Sequence, residues 1–167
     1  MSTKYVRVVP SSEAAGPSLS GEVAQAFERI RERAYAIYDS RQPDAEGSDY
    51  EDWLQAEREL FEIPDVEIDY DGGACRLLLY SEAVADRPLT IAVEPGQVTV
   101  MGHRMADGEM SLFRRINLPE LVDPDRASVT IRRGTGIEIV MAKAGAPEPA
   151  KPKAMAAAAG LAHVVAA

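Results

Sequence analysis

The sequence has a single cysteine, Cys75, and only two histidines, His103 and His163, among its 167 residues. With one cysteine the chain cannot form an internal disulfide, which agrees with a reducing compartment. None of the three residues lies at a spacing typical of metal ligands or of a nucleophile beside its base. We therefore expect no catalytic site, no metal and no cofactor, and we predict that the protein is not an enzyme.

Long apolar runs and an excess of basic residues are also missing. No apolar stretch approaches the roughly 18 residues that a bilayer crossing requires, and the first ten residues lack the apolar segment of a signal peptide. The net charge of −9 disfavours binding to a phosphate backbone, which needs clustered lysine and arginine. These absences predict a cytoplasmic protein without membrane or nucleic-acid partners.

The sequence does contain short segments in which apolar residues alternate, the pattern of β-strands. The first segment is residues 112–118, in which two sets of side chains face opposite sides of a predicted strand. One set is Leu112, Arg114, Ile116 and Leu118, and the other is Phe113, Arg115 and Asn117. The D-P-D sequence at residues 123–125 predicts a turn. Val129 and Ile131 indicate a second strand, the glycines around Thr135 predict a hairpin turn, and a third alternating strand follows.

These segments, in this order, resemble the second half of the alpha-crystallin domain of small heat-shock proteins. The similarity rests on three runs: Leu112-x-Arg114-x-Ile116-x-Leu118-Pro119, then Val122-Asp123-Pro124-Asp125, then the apolar strand ending at Lys143. Upstream, V-E-I-D-Y and L-T-I-A-V-E-P-G-Q-V-T-V-M-G-H-R extend it, so the resemblance runs from about Val66 to Lys143. It implies an immunoglobulin-like antiparallel β-sandwich, a chaperone function, and subunit contacts at Arg114.

The middle of this region is shorter than in bacterial small heat-shock proteins, where an extra strand pairs with the partner subunit. Here only residues 105–111 separate Arg104 from Leu112. The Asp107-Gly108 pair predicts a tight turn, so we expect a direct return into the next strand, as in co-chaperone sandwiches of the p23 type. Three flexible methionines cluster around this turn and predict an adaptable apolar contact: Met101, Met105 and Met110.

Two helical patterns, separated by a break near Pro43, precede the sandwich. In the first, five apolar residues fall on one stripe: Val23, Phe27, Ile30, Ala34 and Ile37. The second begins at Ser48, which forms a capping box with Glu51, and its apolar positions include Trp53 and Phe61. We predict an antiparallel helical hairpin. It has few apolar residues, so its burial requires the sandwich, another chain or a client.

The hairpin has a resemblance of its own. The motifs R-A-Y at residues 33–35 and D-W-L-x-A-E-x-E-L at residues 52–60 look like a short bacterial helical domain of unknown function, over about Ile30 to Leu60. This similarity implies a bacterial chain and no biochemical role. Residues 21–62 carry 12 acidic and 5 basic side chains, a net charge of −7. We interpret them as a solvated outer face, with an acidic docking surface as the alternative.

After Lys143 a proline-rich linker leads into an alanine-rich tail. Small heat-shock proteins carry an I-x-I or I-x-V peptide in this tail, which adds to a strand edge of a neighbouring subunit. The chain has no true copy, and the candidate anchor residues are Leu161, Val164 and Val165. The alternative is a frayed or weakly helical tail, because alanine favours helix.

We predict four segments: a flexible leader (1–20), in which residues 5–9 are a candidate short strand, the helical hairpin (21–62), an alpha-crystallin-like sandwich (63–143) and a flexible tail (144–167). The fold class is mainly β. The predicted function is an ATP-independent chaperone that binds unfolding client proteins, with homo-oligomers implied by the family. The alternative is a p23-like or adaptor module that docks a specific protein partner. Candidate client or subunit contacts are Met101, Met105, Met110, Arg114, Trp53 and Phe61.

Overall fold

The computed structural model describes residues 6–9, 17–41, 47–81, 87–132, 136–146 and 164–166. Within these ranges the chain forms two helices, α1 (Pro17–Ser40) and α2 (Asp49–Leu60), and nine strands. The strands are β1 (Val6–Val9), β2 (Asp65–Asp71), β3 (Ala74–Tyr80), β4 (Leu89–Glu94), β5 (Gln97–His103), β6 (Met110–Asn117), β7 (Val122–Arg132), β8 (Gly136–Lys143) and β9 (Val164–Ala166). In the described part of the chain, no helix combines the length and the apolar composition that crossing a bilayer requires.

The strands form two sheets that pack face to face. The first sheet has the order β1-β4-β5-β6, and the second has the order β2-β3-β8-β7-β9. Neighbouring strands are antiparallel except for two pairs, β1 with β4 and β9 with β7, which are parallel. The predicted fold class, a mainly β sandwich preceded by two helices, is confirmed.

The core between the sheets is built from every second residue of each strand, because successive side chains of a strand lie on opposite faces. On β3, Cys75, Leu77 and Leu79 are buried, and their neighbour Arg76 is exposed. Further buried members of this core are Leu89, Ile91, Val93, Val98, Val100, Leu112, Ile116, Val129, Ile137, Ile139 and Met141. The alternation in the sequence therefore identified the inward-facing side chains of β6, β7 and β8.

Helices α1 and α2 form a third layer, which covers the outer face of the first sheet. They run antiparallel, since ion pairs join Arg33 to Glu59 at 2.5 Å and Arg41 to Asp52. A second apolar cluster lies between helices and sheet and contains Val9, Leu19, Ala26, Ile30, Ala56, Phe61, Ala92, Met101 and Phe113. The sequence analysis left open whether the sandwich, another chain or a client buries the hairpin. In the structure, the hairpin packs against the sandwich of its own chain.

The N-terminal boundaries differ from those expected. Helix α1 begins at Pro17, earlier than the predicted start near Gly21. Proline suits the first turn of a helix, where its fixed φ is helical and its missing N–H would have no partner. Residues Val6–Val9, which we assigned to the leader, form β1, and Val9 is buried beneath the helices.

The prediction of a turn at Asp123-Pro124-Asp125 is wrong, because these residues lie inside β7. The register of β7 against β8 shifts between Asp123 and Ala127, as in a β-bulge. Pro124 has no N–H to donate to a neighbouring strand, and the Asp125 N–H donates to the Asp123 side chain at 3.1 Å. The chain therefore continues as one irregular strand.

Helix α2 begins with the predicted capping box. The Glu51 N–H donates to Ser48 Oγ at 3.2 Å, and the Ser48 N–H donates to Glu51 Oε2 at 2.9 Å. Replacing Ser48 with alanine is expected to lower the free energy of unfolding by about 1 kcal/mol, measured in urea. The control is Ser40→Ala, an exposed serine of α1 that should change stability by less than about 0.5 kcal/mol. Equal losses in both variants would contradict the cap.

Candidate functional site

Helices α1 and α2 cover the outer face of the first sheet, which we call the covered face. Its residues are Ala92, Thr99, Met101 and Phe113. Ala92 pairs with Thr99 across β4 and β5, and Met101 pairs with Phe113 across β5 and β6. All four residues are buried, although they point away from the core between the sheets. Without the two helices the sandwich would expose an apolar patch here, and such patches are typical of protein-binding sites.

Aromatic rings of the helices pack against the covered face. The Phe113 ring lies 5.6 Å from the Phe27 ring on α1, in an edge-to-face arrangement, and 5.8 Å from the Phe61 ring after α2. The Phe27 ring also lies 6.1 Å from the Trp53 ring, so Phe27 links both helices to the sheet. Arg29 lies over the Phe61 ring at 4.9 Å. Phe113 is therefore the central contact between sheet and helices.

Polar contacts hold the end of the helical hairpin on β6. The Glu62 N–H donates to the Ser111 carbonyl at 2.8 Å, and Arg29 Nη1 donates to the Met110 carbonyl at 3.3 Å. Arg87 joins the two segments, since it donates to Ser111 Oγ at 2.9 Å and to Glu62 Oε2 at 2.7 Å. The chain that leaves α2 is thus bonded to the outer strand of the sheet it covers.

The three predicted methionines lie in different environments. Met101 is fully buried under the helices, Met110 is half-buried at the margin of the covered face, and Met105 is 70% exposed in the turn. The turn itself is as predicted: Gly108 has a positive φ of 72°, and β5 returns directly into β6. The methionines therefore do not form one continuous surface in this conformation.

Of the other candidate contact residues, Trp53 lies on α2, Phe61 follows α2 directly, and Arg114 lies on β6. Trp53 is half-buried, and its Nε1 donates to Glu57 at 3.0 Å. Phe61 is buried against Phe113. Arg114 is half-buried, and its Nε atom is buried without a hydrogen-bond partner among the described residues. An interaction of Phe61 or Met101 with a client would require the helices to move.

Two strands from the ends of the chain pair with strands of the sandwich, so that β1 and β9 become edge strands. Strand β1 pairs with β4, where Val6 to Val9 match Leu89 to Ala92. Strand β9 pairs with β7, where Val129 matches Val164 and Thr130 matches Val165. The candidate anchors Val164 and Val165 thus add to an edge of their own chain, and Leu161 lies outside the described residues. Anchoring on a neighbouring subunit stays a prediction.

Strand β2 is an outer strand of the second sheet and carries a row of acidic residues. Asp65, Glu67, Asp69 and Asp71 are all exposed, and only Val66 and Tyr70 of this strand pack against the core. Acidic side chains on an edge strand oppose pairing with a strand of another molecule, because the charges would repel and lose water. This edge is therefore poorly suited to receive a strand from a second copy of the chain.

The structure also contains a cleft that the sequence did not predict. It has a volume of about 360 Å³ and lies between the second half of α1 and the start of α2. We call it the tyrosine cleft; its side chains are Arg31, Tyr35, Tyr38, Asp49, Asp52 and Trp53. Asp52 is buried and forms an ion pair with Arg41. The sequence signal was the exposed pair Tyr35 and Tyr38, which lies off the apolar stripe of α1.

Cys75 and Tyr70 are neighbours on adjacent strands, and neither is a candidate for catalysis. Burial raises the pKa of the Cys75 thiol, which belongs to the core between the sheets. Burial, together with the nearby Cys75 thiol, raises the pKa of Tyr70 to about 12. Both groups are therefore protonated at neutral pH, and Cys75 lacks the thiolate that a nucleophile requires. Among the described residues, no group of three or more His, Cys, Asp or Glu side chains could hold a metal ion.

The raised pKa of Tyr70 predicts a loss of stability at alkaline pH. An unfolded tyrosine loses its proton near pH 10, whereas folded Tyr70 keeps its proton until about pH 12. The stabilisation is therefore complete below pH 10 and is lost between pH 10 and 12, by less than about 1 kcal/mol per pH unit for this half-buried group. Urea unfolding of Tyr70→Phe should show a flatter decline than the parent. The exposed Tyr50→Phe is the control, and an equal decline in all three proteins would contradict the assignment.

The helical hairpin matches a known protein family. The family model described as a protein of unknown function (DUF2934) matches residues 27–62, which contain most of α1 and all of α2. This match confirms the resemblance found between Ile30 and Leu60 in the sequence. A search of curated proteins found no match.

Solved structures of small heat-shock proteins match the chain. Heat shock protein 16.0 from Schizosaccharomyces pombe is 15% identical, with a TM-score of 0.42, over 57% of this chain and 99% of that chain. A small heat-shock protein from Xylella fastidiosa is 18% identical, with a TM-score of 0.41, over 56% and 96%. The protein hspA from Xanthomonas axonopodis is 19% identical, with a TM-score of 0.39, over 52% and 98%. At these identities the similarity concerns the fold alone.

Proposed function

We propose that this protein is an ATP-independent chaperone of the small heat-shock type, and that clients bind the covered face after α1 and α2 move off it. The proposal is carried by one observation: an apolar face of the sandwich, outside its main core, is buried only by a separate pair of helices. An unfolding client also exposes apolar residues. It can therefore replace the helices on Met101 and Phe113, which slows its aggregation by mass action.

The contacts between helices and sheet favour opening at this interface over opening of the sandwich. The helices are held by an apolar cluster of nine buried residues, with three aromatic contacts, and by a few hydrogen bonds. The core between the sheets is larger, with sixteen buried residues, and each sheet also has continuous backbone ladders. Segments with fewer buried contacts open at a lower free energy than the whole molecule. Heating should therefore expose the covered face before the sandwich unfolds.

Suppression of aggregation tests the function. A heated client enzyme is followed by light scattering with and without the full chain. We expect an equimolar amount of the chain to suppress most of the scattering. An inert protein of similar size and acidity serves as the control. No protection at a several-fold excess would overturn the chaperone proposal.

Site-specific photo-crosslinking tests the covered face itself. A photoreactive residue replaces Met110, which lies half-buried at the margin of this face, or Ile68, which lies exposed on β2. We expect client adducts at position 110 that increase with temperature, and few at position 68. Adducts of equal yield at both positions would place client binding elsewhere on the sandwich.

The competing function is an adaptor that docks one protein partner without chaperone activity. It is favoured by the pairing of β1 and β9 with strands of their own chain and by the direct return of β5 into β6. Strands β1 and β9 occupy the edges of β4 and β7, and the short return between β5 and β6 provides no strand for exchange with a second copy. Mass measurement in solution separates the two functions: large polydisperse particles support the chaperone, and a monomer or compact dimer supports the adaptor.

A further inference from the structure

The tyrosine cleft has the composition of a site for a positively charged group. Two tyrosine rings form one wall: Tyr35 and Tyr38 are 67% and 56% exposed, and their ring centroids are 6.3 Å apart. The faces of aromatic rings attract cations. The protein already uses one of these rings in this way, since the Arg41 guanidinium lies 5.9 Å from the centre of Tyr38.

The opposite wall supplies carboxylates. Asp52 is only 5% exposed, and one of its oxygens, Oδ1, accepts from Arg41. Its second oxygen, Oδ2, is buried and has no hydrogen-bond donor among the described residues. Buried carboxylate oxygens normally have a donor, because leaving one unpaired costs free energy. Asp49, which also lines the cleft, adds a second negative charge.

The surrounding charges exclude an anionic ligand. Among the described residues that line the cleft, Arg31 is the one cation, and it forms an ion pair with Glu28 on its own helix. Residues 21–62 have a net charge of −7, which attracts positively charged partners and repels phosphate or carboxylate groups. The cleft therefore combines exposed aromatic rings, carboxylates and a negative field. The same combination recognises arginine and lysine side chains at protein interfaces.

We propose that the tyrosine cleft binds an arginine or lysine side chain presented by a basic segment of a partner protein. The ring faces of Tyr35 and Tyr38 hold the cation, and Asp52 and Asp49 supply the countercharge. The site lies on the helical hairpin and does not require the covered face to open. It is therefore independent of the chaperone proposal and can fail or succeed separately.

Intrinsic fluorescence can test this site directly, because Trp53 lines the cleft and is the single tryptophan of the chain. The full chain is titrated with a capped glycine peptide that contains one central arginine. We expect a saturable change in fluorescence with a Kd on the order of 1 mM, typical of a single anchoring side chain. The lysine peptide should bind within about tenfold, and binding should weaken as salt is added. A peptide with neutral citrulline in place of arginine should give no saturation.

Matched variants locate the binding. Tyr35→Ala should weaken binding of the arginine peptide about tenfold, and Tyr35→Phe should restore it, because the ring face is retained. The control is Tyr50→Ala, since Tyr50 is 69% exposed on the same hairpin but does not line the cleft. Both tyrosines are exposed, so neither substitution should prevent folding.

Three results would overturn the proposal. Equal binding of the arginine and citrulline peptides would show that charge is not recognised. Equal weakening by Tyr35→Ala and Tyr50→Ala would place the peptide elsewhere on the hairpin. Binding that occurs only after Lys151 and Lys153 are replaced by glutamine would assign the cleft to the basic linker of the chain itself.

Discussion

Replacing Gly136 with alanine is expected to lower the free energy of unfolding by about 4 kcal/mol or more, the largest loss of any single substitution considered. A Cβ atom at this position would lie 1.8 Å from the Leu79 carbonyl oxygen and 2.9 Å from its carbonyl carbon. Both atoms belong to the backbone of β3, which cannot move without breaking its ladder with β8. The φ of Gly136, 138°, is also unfavourable for any residue with a side chain.

Gly72→Ala is the matched control for this prediction. Gly72 also has a positive φ, 47°, but an added Cβ atom would have nothing within 4 Å. Its replacement should therefore cost only the backbone strain, about 1 kcal/mol. Unfolding in urea measures both variants. A similar decrease in the free energy of unfolding of both variants would show that the close approach of Gly136 to Leu79 does not contribute to the loss of stability.

Replacing Phe113 with alanine is expected to lower the free energy of unfolding by about 3 kcal/mol or more, as for other buried phenylalanines. The substitution removes the ring that contacts both Phe27 and Phe61, so the loss should concentrate in the helical layer. Hydrogen exchange should accelerate in α1 and α2 much more than in β3 and β8, which lie on the far side of the sandwich. The measurement is exchange followed by mass spectrometry of peptide fragments.

Two controls accompany Phe113→Ala. Phe113→Leu keeps most of the apolar volume and should cost less than about 1.5 kcal/mol. Tyr50→Ala removes an exposed ring of the hairpin and should leave exchange unchanged. Uniform acceleration over all strands and helices in Phe113→Ala would mean that the helices do not open separately. The proposed route to client binding would then lose its physical basis.

Local sequence patterns were sufficient to identify both helices and the strands β2 to β8, whereas β9 lies in the segment predicted to be a flexible tail. Alternation at Leu112, Arg114 and Ile116 identified β6. Ser48 with Glu51 located the start of α2. In each case a few consecutive residues are enough for the prediction, because the face of a strand and the cap of a helix depend only on neighbouring residues. The bulge at Pro124 was misread, since the same residues also favour a turn.

Pairing between distant segments could not be predicted in the same way. Nothing in residues 6–9 specifies that they pair with β4 in parallel, and nothing in Val164 to Ala166 specifies pairing with β7. Such pairings depend on which edges remain free after the rest of the sandwich has formed. The third layer had a clearer signal: Met101 and Phe113 are apolar although they lie on the face opposite the main core. Apolar residues on both faces of a strand indicate that both faces are covered.

The tyrosine cleft was missed for a related reason. Tyr35 belongs to the R-A-Y motif, but its role in the cleft together with Tyr38 depends on the distance between two helices, which only the fold defines. The burial of Asp52 depends on Arg41, which lies beyond the end of α1 and folds back across the helix pair. Site residues that come from one element can be predicted by spacing. Those that meet across elements require the coordinates.

The helical pair is fixed at both of its ends to the sheet it covers. The chain enters it after β1, whose four residues are bonded to β4, and leaves it through Glu62, which is bonded to β6. The pair therefore cannot swing open about one hinge, because one tether must detach first. Strand β1 is the longer of the two attachments, with four paired residues against the single bridge at Glu62, so the length of β1 sets how readily the helical pair opens. Shortening β1 would turn a clamp held at two points into a flap held at one.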